Sequence, residues 1–256
     1  MPFATSPDGV RIHYEIEGAG SWLVLQTGGA GDATMWRDAG YMDVLAGSYR
    51  CILLDHRGHG RSDGPATAAA HRIERYVSDV ISVLDAVGAQ RAAFWGYSQG
   101  ADIGLELAAN HGARLAALIT SGVVDDPDPA AAQHEVLEAL GDLRERGWDA
   151  IVPDYQNADI PAWFKRHIAA TDPRMLELWW EANGDRTPWA RLPLIDVPVF
   201  MVVGEEEDPH GWNAEAAGRM PRAEVLRLAG QDHLSAYARA DLVLPGVMRF
   251  LTAVYP

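Results

Sequence analysis

Short apolar runs alternate with helix-length segments along most of the chain, and this alternation limits the possible folds more than any other feature. Residues 197–203 carry only apolar side chains, which is typical of a strand buried on both faces of a sheet. Residues 72–87 instead place their apolar side chains at helical spacing, and Gly88 follows as a stop signal. Alternation of this kind predicts a mostly parallel sheet with helices on both faces.

The other predicted elements follow the same two patterns. Strands are predicted at residues 10–16, 22–26, 50–54, 92–95, 115–120 and 225–228, and further helices at 101–110 and 242–251. Residues 127–189 break the alternation, because they hold helical stretches near 130–146, 162–170 and 173–182 but no strand pattern. Five of the nine tryptophans lie there, so we expect a helical cap inserted between two strands.

Composition excludes several classes of partner. The chain has 256 residues, of which 48% are hydrophobic, enough for one large domain with a substantial core. Its net charge of -15 makes nucleic acid and anionic membrane surfaces unsuitable partners, because both require a basic face. No signal peptide or membrane-spanning pattern is present, so we expect a cytoplasmic monomer or homodimer that acts on a small-molecule substrate.

Ser98 is the candidate nucleophile. It lies in the run Gly-Tyr-Ser-Gln-Gly at residues 96–100, between a predicted strand and a predicted helix. A serine on such a tight turn projects its hydroxyl above the edge of the sheet, and the glycines on either side let neighbouring chain pass close by. This context makes the motif far more specific than its letters alone.

The chain resembles the α/β-hydrolase fold superfamily, specifically its small-capped esterase, lactonase and cofactor-free haloperoxidase-like branch. Four segments carry the resemblance: the strand and turn at residues 23–29, the Asp-His-Arg-Gly-His-Gly-Arg-Ser loop at 55–62, the turn around Ser98, and two late loops. The resemblance implies a mostly parallel sheet of about eight strands flanked by helices, with the cap after the sixth strand. We therefore expect a core of residues 1–124 and 191–256 and a cap of residues 125–190.

The same resemblance points to the residues that would activate Ser98. His233 lies between the last predicted strand and the last helix, where the family places its catalytic base. The acid is expected in the loop after residue 203, and Asp208 fits best, with Glu207 as the alternative at shorter spacing. Asp125 or Asp126 is a further alternative, because some relatives draw the acid from that loop. The chain order Ser98, Asp208, His233 is that of α/β-hydrolases.

Acyl transfer also needs hydrogen-bond donors for the oxyanion. The resemblance assigns this role to the backbone N–H groups of Gly29 and Gln99. Thr27 stands where the family has a histidine, so any support that this histidine gives the loop is absent here. No cofactor or metal is expected, because no phosphate-binding glycine motif and no metal-ligand spacing is present.

The predicted function is hydrolysis of a carboxylic ester or lactone through an acyl-enzyme. Acidic residues of the cap outnumber basic ones 14 to six, which favours a small, neutral, apolar or aromatic substrate over a polyanion. Trp163, Trp179 and Trp180 are expected to line its pocket. Two alternatives remain open: a biosynthetic cyclase or transferase, and a ligand-binding protein, on the same fold.

Overall fold

The computed structural model describes residues 2–122, 124–153 and 159–255, and its centre is an eight-stranded sheet. Six strands are parallel, and two antiparallel strands form one edge, in the order β1-β2-β4-β3-β5-β6-β7-β8. The strands are β1 (Phe3–Thr5), β2 (Arg11–Glu17), β3 (Ser21–Gln26), β4 (Tyr49–Leu54), β5 (Ala92–Tyr97), β6 (Leu115–Ser121), β7 (Val199–Gly204) and β8 (Ala223–Leu228).

Helices cover the sheet and form the cap. They are α1 (Met35–Asp38), α2 (Met42–Leu45), α3 (Ile73–Ala86), α4 (Gln99–His111), α5 (Pro129–Arg146), α6 (Ala162–Ala170), α7 (Pro173–Asn183), α8 (Trp212–Gly218), α9 (His233–Ala238) and α10 (Ala240–Val254). The predicted fold class is confirmed, including helices inserted after the sixth strand. Strand β1 was not predicted, because its three residues carry no apolar run.

The order of the strands places five loops at one edge of the sheet. β3, β5, β6, β7 and β8 are consecutive parallel neighbours, so their carboxyl ends lie side by side. In open parallel sheets, ligands bind at this edge. Every candidate catalytic residue belongs to a loop or turn that follows one of these strands.

The three cap helices begin and end where the sequence predicts. Asp128 and Asp172 cap α5 and α7 by accepting hydrogen bonds from the backbone N–H two residues further on, and a proline follows each cap at the first helical position. The division into a core and a cap at residues 125 and 190 stays a prediction.

Within the part of the chain described, no helix is long and apolar enough to cross a membrane.

Candidate active site

Ser98 occupies the turn between β5 and α4 in a strained backbone conformation. Its φ of 54° is the only positive value at a non-glycine position among the described residues. Such strain is found at functional sites, where the surrounding structure maintains it. The N–H of Ser98 donates to the carbonyl oxygen of Ser121 at 2.7 Å, which ties the turn to the end of the neighbouring strand β6.

The two glycines of the motif are required by close packing. A side-chain carbon on Gly96 would lie 2.0 Å from the carbonyl oxygen of Gly100, across the turn. A side-chain carbon on Gly100 would lie 2.6 Å from the carbonyl oxygen of Gln26 at the end of β3. Both distances are shorter than real contacts, so only glycine allows the turn to close beside its neighbours.

His233 begins α9, directly after the loop that follows β8. Its Nδ1 lies 2.6 Å from Oε2 of Glu207. A carboxylate can only accept, so Nδ1 carries the proton and Nε2 is left as the basic nitrogen. The ring of Tyr97 stacks on the imidazole with centroids 5.0 Å apart, which further fixes its orientation.

The expectation that Asp208 orients His233 is wrong. The carboxylate of Asp208 accepts from the backbone N–H of Trp212 at 2.7 Å and from Arg227 at 3.0 Å, so it holds the start of α8. Asp208 is 1% exposed, and both of its carboxylate oxygens are engaged by these two groups. Glu207, the alternative at shorter spacing, makes the contact instead.

Gly204 explains how the loops after β7 and β8 come close enough for this contact. A side-chain carbon on Gly204 would lie 2.3 Å from the carbonyl oxygen of Gln231, so the two loops pack directly against each other. Oε1 of Glu207 accepts from the Gly204 N–H at 2.8 Å. Both carboxylate oxygens of Glu207 are therefore engaged, one by its own loop and one by His233.

Gly122 separates Ser98 from His233 at the end of β6. A side-chain carbon on Gly122 would lie 3.3 Å from Cε1 of His233 and 3.6 Å from Cα of Ser98. The structure therefore brings the two residues together around one glycine, although 135 positions separate them in the chain. Both side chains border the same cavity.

The loop after β3 passes directly over the nucleophile turn. A side-chain carbon on Gly28 would lie 2.7 Å from Cβ of Ser98, and one on Gly29 would lie 3.1 Å from Oε1 of Gln99. The N–H groups of Gly29 and Gln99 make no hydrogen bond with another described residue. The structure thus places both expected oxyanion donors beside Ser98.

The cavity next to Ser98 has a volume of about 280 Å³ and an apolar lining. Trp179 and Trp180 contribute to it as expected. Trp163 instead stacks on Phe164, with ring centroids 5.1 Å apart, and Phe164 reaches the cavity in its place. Sequence reasoning missed further apolar lining residues, which are Met35, Trp148, Ile151, Val152, Ile168, Leu176 and Leu234.

Two carboxyl groups, Asp102 and Asp125, also border this cavity and a smaller adjoining one. Desolvation of the carboxyl group by the surrounding protein, together with the charge of Glu135, raises the pKa of Asp125 to about 6, although the residue as a whole is exposed. Burial and the nearby carboxylate of Asp125 raise the pKa of Asp102 well above its usual range. Asp125, considered as an alternative acid, is thus a cavity residue, and the carboxylate that contacts His233 is Glu207.

Residues 2–122, 124–153 and 159–255 contain no group of three His, Cys, Asp or Glu side chains arranged to hold a metal ion. Cys51 is buried, and burial raises the pKa of its thiol to about 12. The thiol is therefore protonated at neutral pH and is not a nucleophile.

Comparison with known proteins agrees with this fold. The profile of the α/β hydrolase fold family matches residues 21–183, so the chain belongs to that family and is an enzyme of the α/β-hydrolase type. The proposed carbamate hydrolase RutD of Caulobacter vibrioides is 35% identical over 245 residues, which cover 87% of this chain and 88% of that protein.

Two further relatives align over almost the whole chain. A non-heme haloperoxidase of Rhodococcus erythropolis is 24% identical, over 98% of this chain and 99% of that protein. The enol-lactonase of Burkholderia xenovorans LB400 superposes with a TM-score of 0.82 at 25% identity, over 98% of this chain and 100% of the other.

Proposed function

We propose that the protein is a serine hydrolase that cleaves a carboxylic ester or lactone through an acyl-enzyme formed on Ser98. The observation that carries this proposal is the 2.6 Å contact between His233 and Glu207, on a histidine that shares a cavity with Ser98. A nucleophile, a base that can accept its proton and a carboxylate that orients the base constitute the catalytic triad of acyl transfer.

In the proposed reaction, Oγ of Ser98 attacks the substrate carbonyl while Nε2 of His233 accepts its proton. Glu207 stabilises the resulting imidazolium and keeps its Nδ1–H in place. The N–H groups of Gly29 and Gln99 bind the oxyanion. His233 then protonates the leaving group, and afterwards it activates a water molecule that attacks the acyl-enzyme and releases Ser98.

The lining of the cavity supports a small substrate with an apolar or aromatic group. The walls are mostly aromatic and aliphatic, and about 280 Å³ is enough for a small organic ester. Above about pH 6 the ionised carboxylate of Asp125 disfavours an anionic substrate, because a second negative charge close to it is repelled in the cavity. We therefore propose a neutral substrate.

The relatives support carbonyl chemistry of this class. One is named as a lactonase and another as a carbamate hydrolase, and both names describe cleavage at a carbonyl carbon. Lactones, esters and carbamates therefore belong together in the set of substrates to be compared.

A fluorophosphonate probe and a panel of short aryl esters, lactones and aryl carbamates would test the proposal. We expect the wild-type enzyme to be labelled on Ser98 and to turn over at least one class of substrate. Ser98→Ala should abolish labelling and reduce kcat by about 10⁴-fold or more. An unlabelled Ser98 would refute the proposal, and labelling without turnover of any panel member would favour a biosynthetic or binding role.

A further inference from the structure

His59 contacts the loop that carries one of the proposed oxyanion donors. Its Nε2 lies 3.1 Å from the carbonyl oxygen of Gly29, and the imidazole is 4% exposed. His59 belongs to the loop after β4, on the far side of β3 from Ser98. The contact therefore joins two loops that follow adjacent strands. His59 reaches residues 28–31, called the oxyanion loop below, from the side opposite Ser98.

This contact is the one hydrogen bond that the described residues make to the main chain of residues 28–31. The next main-chain hydrogen bonds come at Asp32, whose carbonyl oxygen accepts from the Met35 N–H at 3.1 Å, and at Ala33, whose N–H donates to Oδ1 of Asp55 at 2.8 Å. Three of the four residues in the segment are glycines, which lose the most conformational entropy when they are held in one geometry. A single hydrogen bond in such a segment has a large effect on where its N–H groups point.

Thr27 does not supply an alternative support. Its side chain is buried, and its Oγ1 makes no hydrogen bond with any described residue. The position just before the glycines thus holds the loop by packing alone. A hydrogen bond that holds the loop must therefore come from another element, and His59 provides it.

The protonation of His59 can be deduced from its neighbours. Nδ1 lies 3.3 Å from the carbonyl oxygen of Arg57 and Nε2 lies 3.1 Å from that of Gly29, and a carbonyl oxygen can only accept. Burial lowers the pKa of His59, so the ring is neutral and has one N–H to give. The shorter contact receives it, which makes Nε2–H the donor to Gly29.

We infer that His59 is a positioning residue for acyl transfer: it fixes the Gly29–Ala30 peptide through the Gly29 carbonyl and thereby restricts the φ and ψ of Gly29, on which the direction of the Gly29 N–H depends. The inference rests on the proposed function, because it assigns His59 a task in that reaction. Preorganised donors stabilise the transition state because they do not have to reorient as charge develops. Loss of the tie should therefore lower kcat more than it raises KM.

His56 offers a matched control within the same loop. Its ring lies 3.8 Å from that of His59, centroid to centroid, and it is fully buried. Neither of its ring nitrogens makes a hydrogen bond with a described residue. His56→Phe and His59→Phe thus make the same chemical change at neighbouring buried sites, and only the second removes a bond to Gly29.

The first test compares the kinetics of the two variants on an aryl ester. We expect His59→Phe to lower kcat by about 10- to 100-fold, less than the loss of a whole oxyanion donor, with KM within about threefold. His56→Phe should keep kcat within about threefold. His59→Gln should recover part of the loss, because the glutamine Nε2 can reach the position of the histidine Nε2. Equal losses of kcat in His59→Phe and His56→Phe would overturn the inference.

Amide hydrogen exchange provides a readout that does not depend on catalysis. We expect the amide protons of residues 28–31 to exchange at least about tenfold faster in His59→Phe than in His56→Phe, because the loop has lost its tie. Unchanged exchange in His59→Phe would refute the inference even if kcat falls. If the wild-type enzyme hydrolyses no ester, the proposed function fails, while the exchange rates still decide whether His59 holds the loop. If His59→Phe does not fold, His59→Leu is compared with His59→Gln instead, in both the kinetic and the exchange measurement.

Discussion

Nδ1 of His233 lies 2.6 Å from Oε2 of Glu207, and the second oxygen of that carboxylate accepts from the Gly204 N–H at 2.8 Å. The side chain of Glu207 is only 8% exposed. Because both of its oxygens are bound and the side chain is enclosed, the carboxylate has one orientation. It therefore holds the imidazole in the tautomer that the proposed proton transfer needs.

Glu207→Gln should abolish most of the activity, whereas Asp208→Asn should not. The amide of glutamine cannot stabilise the imidazolium and can stabilise the wrong tautomer, so we expect kcat to fall by about 10²- to 10⁴-fold. Asparagine at this position can still accept from the Trp212 N–H but loses the ion pair with Arg227. We expect Asp208→Asn to keep kcat within about threefold and to lower the free energy of unfolding by about 1–2 kcal/mol. Steady-state kinetics and urea unfolding measure the two effects, and the reverse pattern would show that Asp208 is the catalytic acid.

Gly28→Ala should inactivate the enzyme without unfolding it. The added carbon would lie 2.7 Å from Cβ and 3.2 Å from Oγ of Ser98, so either the loop or the nucleophile must shift. We expect kcat/KM to fall by about 100-fold or more, since a shift of about 1 Å in such a site has that effect. The ester assay, with circular dichroism as a check on folding, measures this change.

Gly141→Ala is the matched control, because a carbon there meets nothing within 4 Å in the middle of α5. It should leave activity unchanged and stabilise the protein by about 0.5–1 kcal/mol. Full activity of Gly28→Ala would mean that the loop after β3 does not need to lie against Ser98.

The preference for neutral over anionic esters should increase as the pH rises through about 6. Desolvation of the carboxyl group raises the pKa of Asp125 to about 6, so this carboxyl is mostly neutral below that pH and mostly negative above it. The pKa of Asp102 is raised as well, by burial and by the nearby Asp125 carboxylate. Ionisation of Asp125 adds a negative charge to the cavity, which repels an anionic substrate and leaves a neutral one little affected.

The measurement is the ratio of kcat/KM for a neutral and an anionic ester with the same leaving group. The ratio removes the titration of the triad, which affects both substrates alike. We expect it to rise by about tenfold between pH 5 and pH 8 in the wild-type enzyme and to stay flat in Asp125→Asn. A flat ratio in the wild-type enzyme would argue against a charged Asp125 beside the substrate.

The sheet, the cap helices, Ser98 and His233 could be located from the sequence because each depends on local patterns. A buried strand followed by Gly-Tyr-Ser-Gln-Gly and a helix requires one particular turn. The spacing of apolar residues predicts the helices at 130–146, 162–170 and 173–182 to within a residue or two. The chain order of loops after successive strands then brings His233 to the same edge of the sheet as Ser98.

The direction in which adjacent side chains point could not be obtained in this way. Glu207 and Asp208 are neighbours in an acidic loop, and only the packing of Gly204 against Gln231 and the position of Arg227 determine which carboxylate meets His233. Trp163 and Phe164 point in directions about 100° apart around α6. The rotation of that helix about its axis, which is set by tertiary packing, therefore decides which ring faces the cavity.

The contact of His59 with Gly29 likewise could not be predicted from local sequence patterns. The two residues are 30 positions apart, in loops that the sequence pattern identifies one at a time. Local patterns determined the elements, their order and the positions of the proposed nucleophile and base, because these depend on residues close together in the chain. The tertiary structure decided which carboxylate contacts His233, which side chains line the cavity and which one contacts the Gly29 carbonyl, because these contacts join loops from different strands at one edge of the sheet.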